Sequence, residues 1–144
     1  MIILYAILVL VNLFWLGLVI QSKRAKRDLP YLLENGEPNS SPKVSILVPA
    51  RNEAKILSRT LQSLLALDYP DFEVIVIDDQ SEDATPEIAA SAAAQDSRVI
   101  VLRSEDLPQG WRGKTWALQH GLGLARGNWL LLTDADMVFD PGVL

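Results

Sequence analysis

Residues 129–138, near the end of the chain, constrain the fold more than any other stretch. Their sequence, WLLLTDADMV, is an apolar run that stops at two carboxylates one residue apart. Such a run predicts a buried β-strand that delivers both acids to the rim of a sheet. In an extended chain Asp134 and Asp136 point to the same side, so one divalent cation or one sugar-phosphate could contact both.

From residue 43 onward the chain alternates between strand and helix patterns. Short apolar runs predict buried strands at residues 44–48, 74–77, 99–102 and 128–133. Helical spacing predicts three intervening helices, with Asn52 and Thr85 as caps of the first two and residues 114–125 as the third. This order of elements predicts an α/β domain with a parallel, doubly wound, Rossmann-like sheet and right-handed crossovers.

The N-terminal residues predict a membrane anchor. Residues 2–20 are apolar apart from Asn12, and as a helix they would be about 28 Å long, close to the thickness of the hydrocarbon core. A buried core helix is the alternative, but a domain of this size cannot surround such a helix on every side. A cleaved signal peptide is disfavoured because the basic residues 23–27 follow the apolar run. Their position predicts a cytoplasmic domain and an external N-terminus. We expect the membrane to be of the bacterial inner-membrane type.

Sequence pattern and composition predict the division of the chain into segments and limit the kinds of partner that it can bind. We expect a transmembrane segment at residues 1–21, a basic juxtamembrane segment and linker at 22–42, and one folded domain at 43–144. The chain contains no cysteine, so it forms neither a disulfide nor a thiolate metal site. Outside the basic cluster acidic residues outnumber basic ones, which argues against a nucleic-acid surface.

Loops rich in acidic residues follow three of the predicted strands. Their sequences are PARNE at residues 49–53, DDQSED at 78–83 and DAD at 134–136. In a doubly wound sheet these loops meet at one edge, where converging acids need a compensating cation such as Mg²⁺ or Mn²⁺. Strand-end turns, helix caps and an exposed ion pair would explain each loop separately. The hypothesis of a cation site therefore rests on the joint appearance of the three loops.

Four motifs resemble family 2 inverting glycosyltransferases of the GT-A fold. VSILVPARNE, VIVIDDQSEDAT and LLLTDAD are similar to the nucleotide-sugar-binding half of those enzymes, and LPQGWRGKTWAL resembles a signature of membrane-bound members associated with hopanoid and carotenoid glycosylation. The match runs in order from residue 44 to about residue 142. The resemblance implies metal-dependent transfer of a sugar from a nucleotide diphosphate donor, preferably a UDP-sugar, to a hopanoid- or carotenoid-like membrane lipid.

The resemblance also implies individual roles. The loop after the first strand would line the nucleotide pocket through Pro49, Ala50, Arg51 and Glu53. Asp79 would accept a hydrogen bond from a uracil-like imide, Asp134 would contact the ribose or the sugar, and Asp136 would ligate the Mg²⁺ or Mn²⁺ that bridges the diphosphate. Lys114 follows a glycine-rich turn at a predicted helix start, where it could bind phosphate. An exposed helix-terminal lysine explains the same position almost as well.

The acceptor-binding half of such enzymes, with the general base of an inverting transfer, is expected beyond Leu144. The domain is therefore also compatible with a non-catalytic module that binds nucleotide and metal, and with the donor domain of a polysaccharide synthase. A flavodoxin-like signalling domain is disfavoured, because Arg103 stands where a phosphoacceptor domain needs an aspartate after its third strand.

Overall fold

The computed structural model of the chain describes residues 11–17 and 41–144. The chain divides into two units, Met1–Asn39 and Ser40–Leu144. In the first unit residues 11–17 are helical, here α1, and exposed. Among the described residues no helix combines the length and the apolar character that crossing a bilayer requires. Most of the predicted span at residues 1–21, and the predicted segment from residue 22 to residue 40, lie outside the described residues, so the anchor stays a prediction.

The second unit alternates strands and helices as its sequence predicts. Its elements are β1 (Val44–Ala50), α2 (Leu57–Leu65), β2 (Phe72–Asp78), α3 (Thr85–Gln95), β3 (Val99–Arg103), α4 (Gly113–Leu122) and β4 (Trp129–Leu132). All strands pair in parallel, in the spatial order β3-β2-β1-β4. The predicted parallel α/β sheet is therefore confirmed, although α4 ends at Leu122 and not at residue 125.

The core lies on both faces of the sheet. One face packs against α2 and α3, where Ile46 joins Leu61 and Ala89 in a buried cluster. The other face packs against α4, where Leu47 joins Ala117. Strands β1 and β2 occupy the middle of the sheet and are covered on both faces. This position explains why, apart from Ser45, Glu73 and the terminal Asp78, their sequences are apolar and do not alternate with polar residues.

Strand β4 is more exposed than its apolar sequence predicts. Trp129, Leu130 and Leu132 expose 66%, 46% and 57% of their surface, whereas Leu131 packs against the core. The prediction of a buried strand is wrong in this respect. The reason is that β4 is an edge strand whose only partner strand within the described residues is β1. The pairing with β1 nevertheless directs the residues after β4 to the carboxyl edge of the sheet.

A polar network holds the amino end of β4. Glu73 Oε1 accepts hydrogen bonds from Ser45 Oγ (2.6 Å) and from the Arg126 backbone N–H (2.7 Å), and Glu73 Oε2 lies 2.9 Å from Lys43 Nζ. Burial raises the pKa of the Glu73 carboxyl, but the hydrogen bonds and the Lys43 charge outweigh burial and hold that pKa below its usual value. Ser45 Oγ accepts in turn from the Gly127 N–H (2.8 Å), which ties the turn before β4 to β1.

Gly127→Ala is expected to destabilise the domain. An added Cβ would lie 2.5 Å from Ser45 N and 2.8 Å from Lys43 O, so backbone atoms would have to move. Overpacking of this kind costs about 1–3 kcal/mol. Urea unfolding of the full chain measures the free energy of unfolding. Gly142→Ala is the matched control, because its Cβ would meet nothing closer than 3.7 Å. An unchanged unfolding midpoint for Gly127→Ala would contradict the close approach.

Candidate functional site

The carboxyl edge of the sheet carries a cavity of about 250 Å³. Its walls come from the β1–α2 loop, the end of β2, the start of α4 and the turn after β4. The lining residues are Pro49, Ala50, Arg51, Glu53, Asp79, Lys114, Asp134, Ala135 and Asp136. The structure thus brings together all eight residues to which the sequence assigned donor or metal binding, and adds Ala135. Their individual roles stay predictions.

The loops after β1 and β2 are tied to each other by hydrogen bonds. The Asn52 N–H donates to Ser81 Oγ (3.0 Å), the Glu82 N–H donates to Asn52 Oδ1 (2.9 Å), and the Glu53 N–H donates to Thr85 Oγ1 (2.8 Å). The expectation that Asn52 and Thr85 cap helices is wrong, because neither α2 nor α3 has a side-chain cap. Their polar groups bond across the two loops instead, and this fixes the cavity wall that contains Glu53.

Two residues adopt the left-handed backbone conformation two positions after a strand ends. Asn52 and Gln80 each have φ of 56°. For residues other than glycine this conformation costs about 1–2 kcal/mol, and strain of this kind is concentrated at functional sites. Gln80 Nε2 donates to the Glu105 carbonyl (3.3 Å) and to Asp106 Oδ1 (3.1 Å). These bonds join the end of β2 to the loop after β3.

The neighbouring acids at the end of β2 have different surroundings. Asp78 is 1% exposed, and its Oδ2 lies 3.8 Å from Arg103 Nε. Asp79 lines the cavity, where its Oδ1 accepts a hydrogen bond from Ser104 Oγ (3.1 Å) and its Oδ2 lies 3.7 Å from Arg51 Nη1. The structure therefore places the second acid of the pair, which is 9% exposed, in the cavity lining and buries the first more completely.

Ser104 and Gly113 shape the surroundings of Asp79, although the sequence analysis assigned neither a role. Ser104 is buried directly after β3 and donates its hydroxyl to the Asp79 carboxylate. A Cβ on Gly113 would lie 2.6 Å from Asp79 Oδ2, so glycine leaves room for this carboxylate at the start of α4. The available signals were a serine after a strand and a glycine before Lys114, and both are too common to predict a site.

The turn after β4 presents two acids because the residue between them is anchored. Ala135 is buried, and its carbonyl accepts a 2.6 Å hydrogen bond from Thr60 Oγ1 of α2. Strand β4 ends at Leu132, so the alternation of an extended strand does not place Asp134 and Asp136, contrary to the expectation from sequence. The anchored turn places them, and both are exposed in the lining of the cavity.

The charges of the cavity are only partly compensated. Four carboxylates and two cations line it, which leaves a formal charge of −2. Both cations are paired, Arg51 with Asp79 and Lys114 Nζ with Asp134 Oδ1. Asp136 has no hydrogen-bond or ion-pair partner in the part of the chain that the structure describes. A diphosphate would add negative charge, which a divalent cation would offset.

The oxygen ligands of the anchored turn fit a hard divalent cation. Carboxylates are ligands that Mg²⁺ and Mn²⁺ prefer, and Asp134 and Asp136 supply them. Within residues 11–17 and 41–144, no group of three or more His, Cys, Asp or Glu could hold a metal by itself. The cavity therefore suits a metal ion that is coordinated by one or two carboxylates and takes its other ligands from phosphate and water.

Gly113→Ala is expected to weaken nucleotide binding while the fold persists. The added Cβ would displace the Asp79 carboxylate, whereas the backbone of Gly113, the first residue of α4, can accommodate alanine because it is not in the left-handed conformation. The resemblance implies a hydrogen bond from the base to Asp79, and loss of one such bond would lower the affinity for UDP about tenfold. Calorimetric titration with UDP and Mn²⁺ measures the affinity, and thermal unfolding checks the fold. Unchanged affinity would show that the position of Asp79 is not important for binding.

Comparison with known proteins identifies the family. The sequence profile of Glycosyl transferase family 2 matches residues 45–144. Beta-monoglucosyldiacylglycerol synthase of Trichormus variabilis is 40% identical over 99 residues, which are 67% of this chain and 21% of that enzyme. The chain thus spans about a fifth of the length of this curated relative.

Solved structures show the same fold. The mannosyltransferase PcManGT from Pyrobaculum calidifontis, in complex with GDP-Man and Mn²⁺, superimposes with a TM-score of 0.66 at 31% identity, over 84% of this chain and 35% of that one. TarS 1–349 of S. aureus, in complex with UDP-GlcNAc, superimposes with a TM-score of 0.56 at 30% identity, over 69% of this chain and 28% of that one.

These similarities confirm the family that the four sequence motifs indicate. They extend to glycosyltransferases of the GT-A fold in general and do not single out the hopanoid- and carotenoid-associated subtype. The profile covers the four strands of the sheet apart from Val44, and it includes every residue that lines the cavity. The chain therefore belongs to glycosyl transferase family 2.

Proposed function

We propose that this chain forms the donor-binding part of an inverting glycosyltransferase that uses a nucleotide diphosphate sugar, preferably a UDP-sugar, and a divalent cation. The observation that carries the proposal is the convergence of four acids and two cations, from separate loops, in one cavity. The solved neighbours support it, because one was determined with GDP-Man and Mn²⁺ and the other with UDP-GlcNAc.

In this proposal Asp79 binds the base. Ser104 holds one carboxylate oxygen, while the other lies 3.7 Å from Arg51, which is longer than a strong hydrogen bond. The Arg51 side chain is 57% exposed, so the N–H of an imide can replace it beside Asp79. Uracil offers such an N–H, which is the reason for the preference for a UDP-sugar. Glu53, held through its backbone by Thr85, would lie near the base or the ribose.

The diphosphate lies between α4 and the turn after β4. Lys114 is the second residue of α4, so its ammonium group and the free N–H groups of the helix start both favour phosphate. Asp136 holds the cation, and Asp134 contacts the ribose or the sugar. When bound, the cation stabilises the negative charge that develops on the leaving diphosphate. None of the four cavity acids is assigned as general base, because all four serve donor and metal.

Asp136→Ala is expected to remove the metal-dependent part of UDP binding. Losing a charge-assisted metal contact should lower the affinity about a hundredfold. Calorimetric titration of UDP into the full chain, with and without Mn²⁺, measures the effect. Asp71→Ala is the matched control, because Asp71 is an exposed acid that precedes β2 at the opposite edge of the sheet. A folded chain that binds no UDP, or binds it equally well without Mn²⁺, would contradict the proposal.

For the acceptor we propose a membrane lipid, with a hopanoid- or carotenoid-like lipid as the specific candidate. An anchor at residues 1–21 would confine the site to the cytoplasmic surface of the membrane, where such acceptors lie. A relative named Beta-monoglucosyldiacylglycerol synthase supports a lipid acceptor. The specific candidate rests on the motif at residues 107–118 alone.

Anchoring and acceptor class can be tested together. Membranes from cells that produce the chain are washed with alkaline carbonate and supplied with labelled UDP-sugars. We expect the chain to stay in the membrane pellet. In membranes that also supply the acceptor-binding half with its general base, we expect the label to enter the organic-solvent extract as a glycolipid, with Asp136→Ala as the inactive control. Release of the chain by carbonate would contradict the anchor. Label in an insoluble polymer would favour a polysaccharide synthase, and UDP binding without transfer would favour a non-catalytic module.

A further inference from the structure

Lys114 and Asp134 form an ion pair inside the cavity. The Lys114 ammonium contacts Asp134 Oδ1, and the two side chains are 60% and 55% exposed. The residues lie 20 positions apart, so the pair joins the start of α4 to the turn after β4. The ion pair engages two groups that the proposed function requires. These are the Lys114 ammonium, which would bind the diphosphate, and the Asp134 carboxylate of the turn after β4.

Both ends of this ion pair are held by the fold. On the helix side, α4 packs so closely against the sheet that a Cβ on Gly121 would lie 2.7 Å from Ile77 Cδ1. On the other side, the Ala135 carbonyl that follows Asp134 is bonded to Thr60. The proximity of the two charges is therefore set by anchored backbone, and the exposed side chains can exchange partners without disturbing it.

The ion pair also affects how a cation can bind. A divalent cation that approaches Asp136 would find Asp134 already paired and would be repelled by the Lys114 charge. A diphosphate changes this situation, because it accepts hydrogen bonds from the Lys114 ammonium and supplies oxygen ligands to the cation. Lys114 should therefore oppose the cation alone and favour the cation together with a nucleotide.

We propose that Lys114 is an internal counter-ion of Asp134 that weakens the binding of a bare divalent cation and releases Asp134 when a diphosphate binds. The inference rests on the proposed function and adds to it a mode of regulation of the same site. Cation and nucleotide then bind cooperatively, and because such coupling is reciprocal, each raises the affinity for the other by the same factor. Neutralising Lys114 should reduce this coupling from both directions.

The test measures two affinities of the full chain carrying Lys114→Gln. Electron paramagnetic resonance of free Mn²⁺ gives the affinity for the bare cation, which we expect to rise about threefold, in the range of an exposed ion pair. Calorimetry with UDP at saturating Mn²⁺ gives the nucleotide affinity, which we expect to fall about tenfold through loss of a charged contact to phosphate. A purely structural lysine would not change the two affinities in opposite directions.

Two variants serve as controls. Lys55→Gln makes the same change in charge at an exposed residue that does not line the cavity, so both affinities should stay unchanged. Lys114→Arg keeps a cation next to Asp134, so it should keep the weak binding of bare Mn²⁺. Because the Lys114 side chain is 60% exposed, the variants should fold, and circular dichroism verifies this.

The outcomes separate this proposal from the one on which it rests. If Lys114→Gln binds bare Mn²⁺ no more tightly than Lys55→Gln does, the counter-ion role is overturned, even where UDP binding is normal. If the unchanged chain binds no UDP in the presence of Mn²⁺, the donor-binding function fails. The comparison of bare Mn²⁺ affinities still decides in that case whether Lys114 competes for Asp134.

Discussion

Strand β1 pairs in parallel with β2 on one side and with β4 on the other, and the arrangement of the site follows from that double pairing. Ala50 lies opposite Asp78, so the loops after β1 and β2 start at the same level. Leu47 lies opposite Leu132, so β4 ends three residues before β1 does. The shorter edge strand leaves room for the turn with Asp134 and Asp136 beside the β1–α2 loop.

The two edges of the sheet use charge differently. At the amino edge, Glu73 is buried and satisfied by Ser45, Lys43 and backbone N–H groups, so its network is part of the framework. At the carboxyl edge, Lys114 and Asp134 are exposed, and such pairs contribute only about 0.2–1 kcal/mol to stability. Weak pairs are readily exchanged for ligands. The strongly bonded network positions β4, and the weakly bonded cavity residues remain free to bind.

Much of the fold, and most of the residues that line the cavity, could be predicted from sequence. Apolar runs predict strands because burial requires them, and parallel strands bring the loops that follow them to one edge. The exposure of β4 could not be predicted, because an apolar run predicts a strand but does not indicate whether that strand lies in the middle or at the edge of the sheet. The prediction that Asn52 and Thr85 cap helices failed for a different reason. A local capping signal competes with distant partners, here Glu82 and the Glu53 N–H, which only the packed loops bring within reach.

The sequence by itself determined the type of domain, its parallel strands and the residues that gather at the carboxyl edge, because these follow from periodicity and from the order of motifs along the chain. Only the tertiary structure decided which carboxylate of Asp78 and Asp79 is presented, how Ala135 orients its two neighbours, and which acid Lys114 contacts. These features depend on contacts between residues far apart in sequence, such as Thr60 with Ala135, and such contacts exist only after the chain has folded.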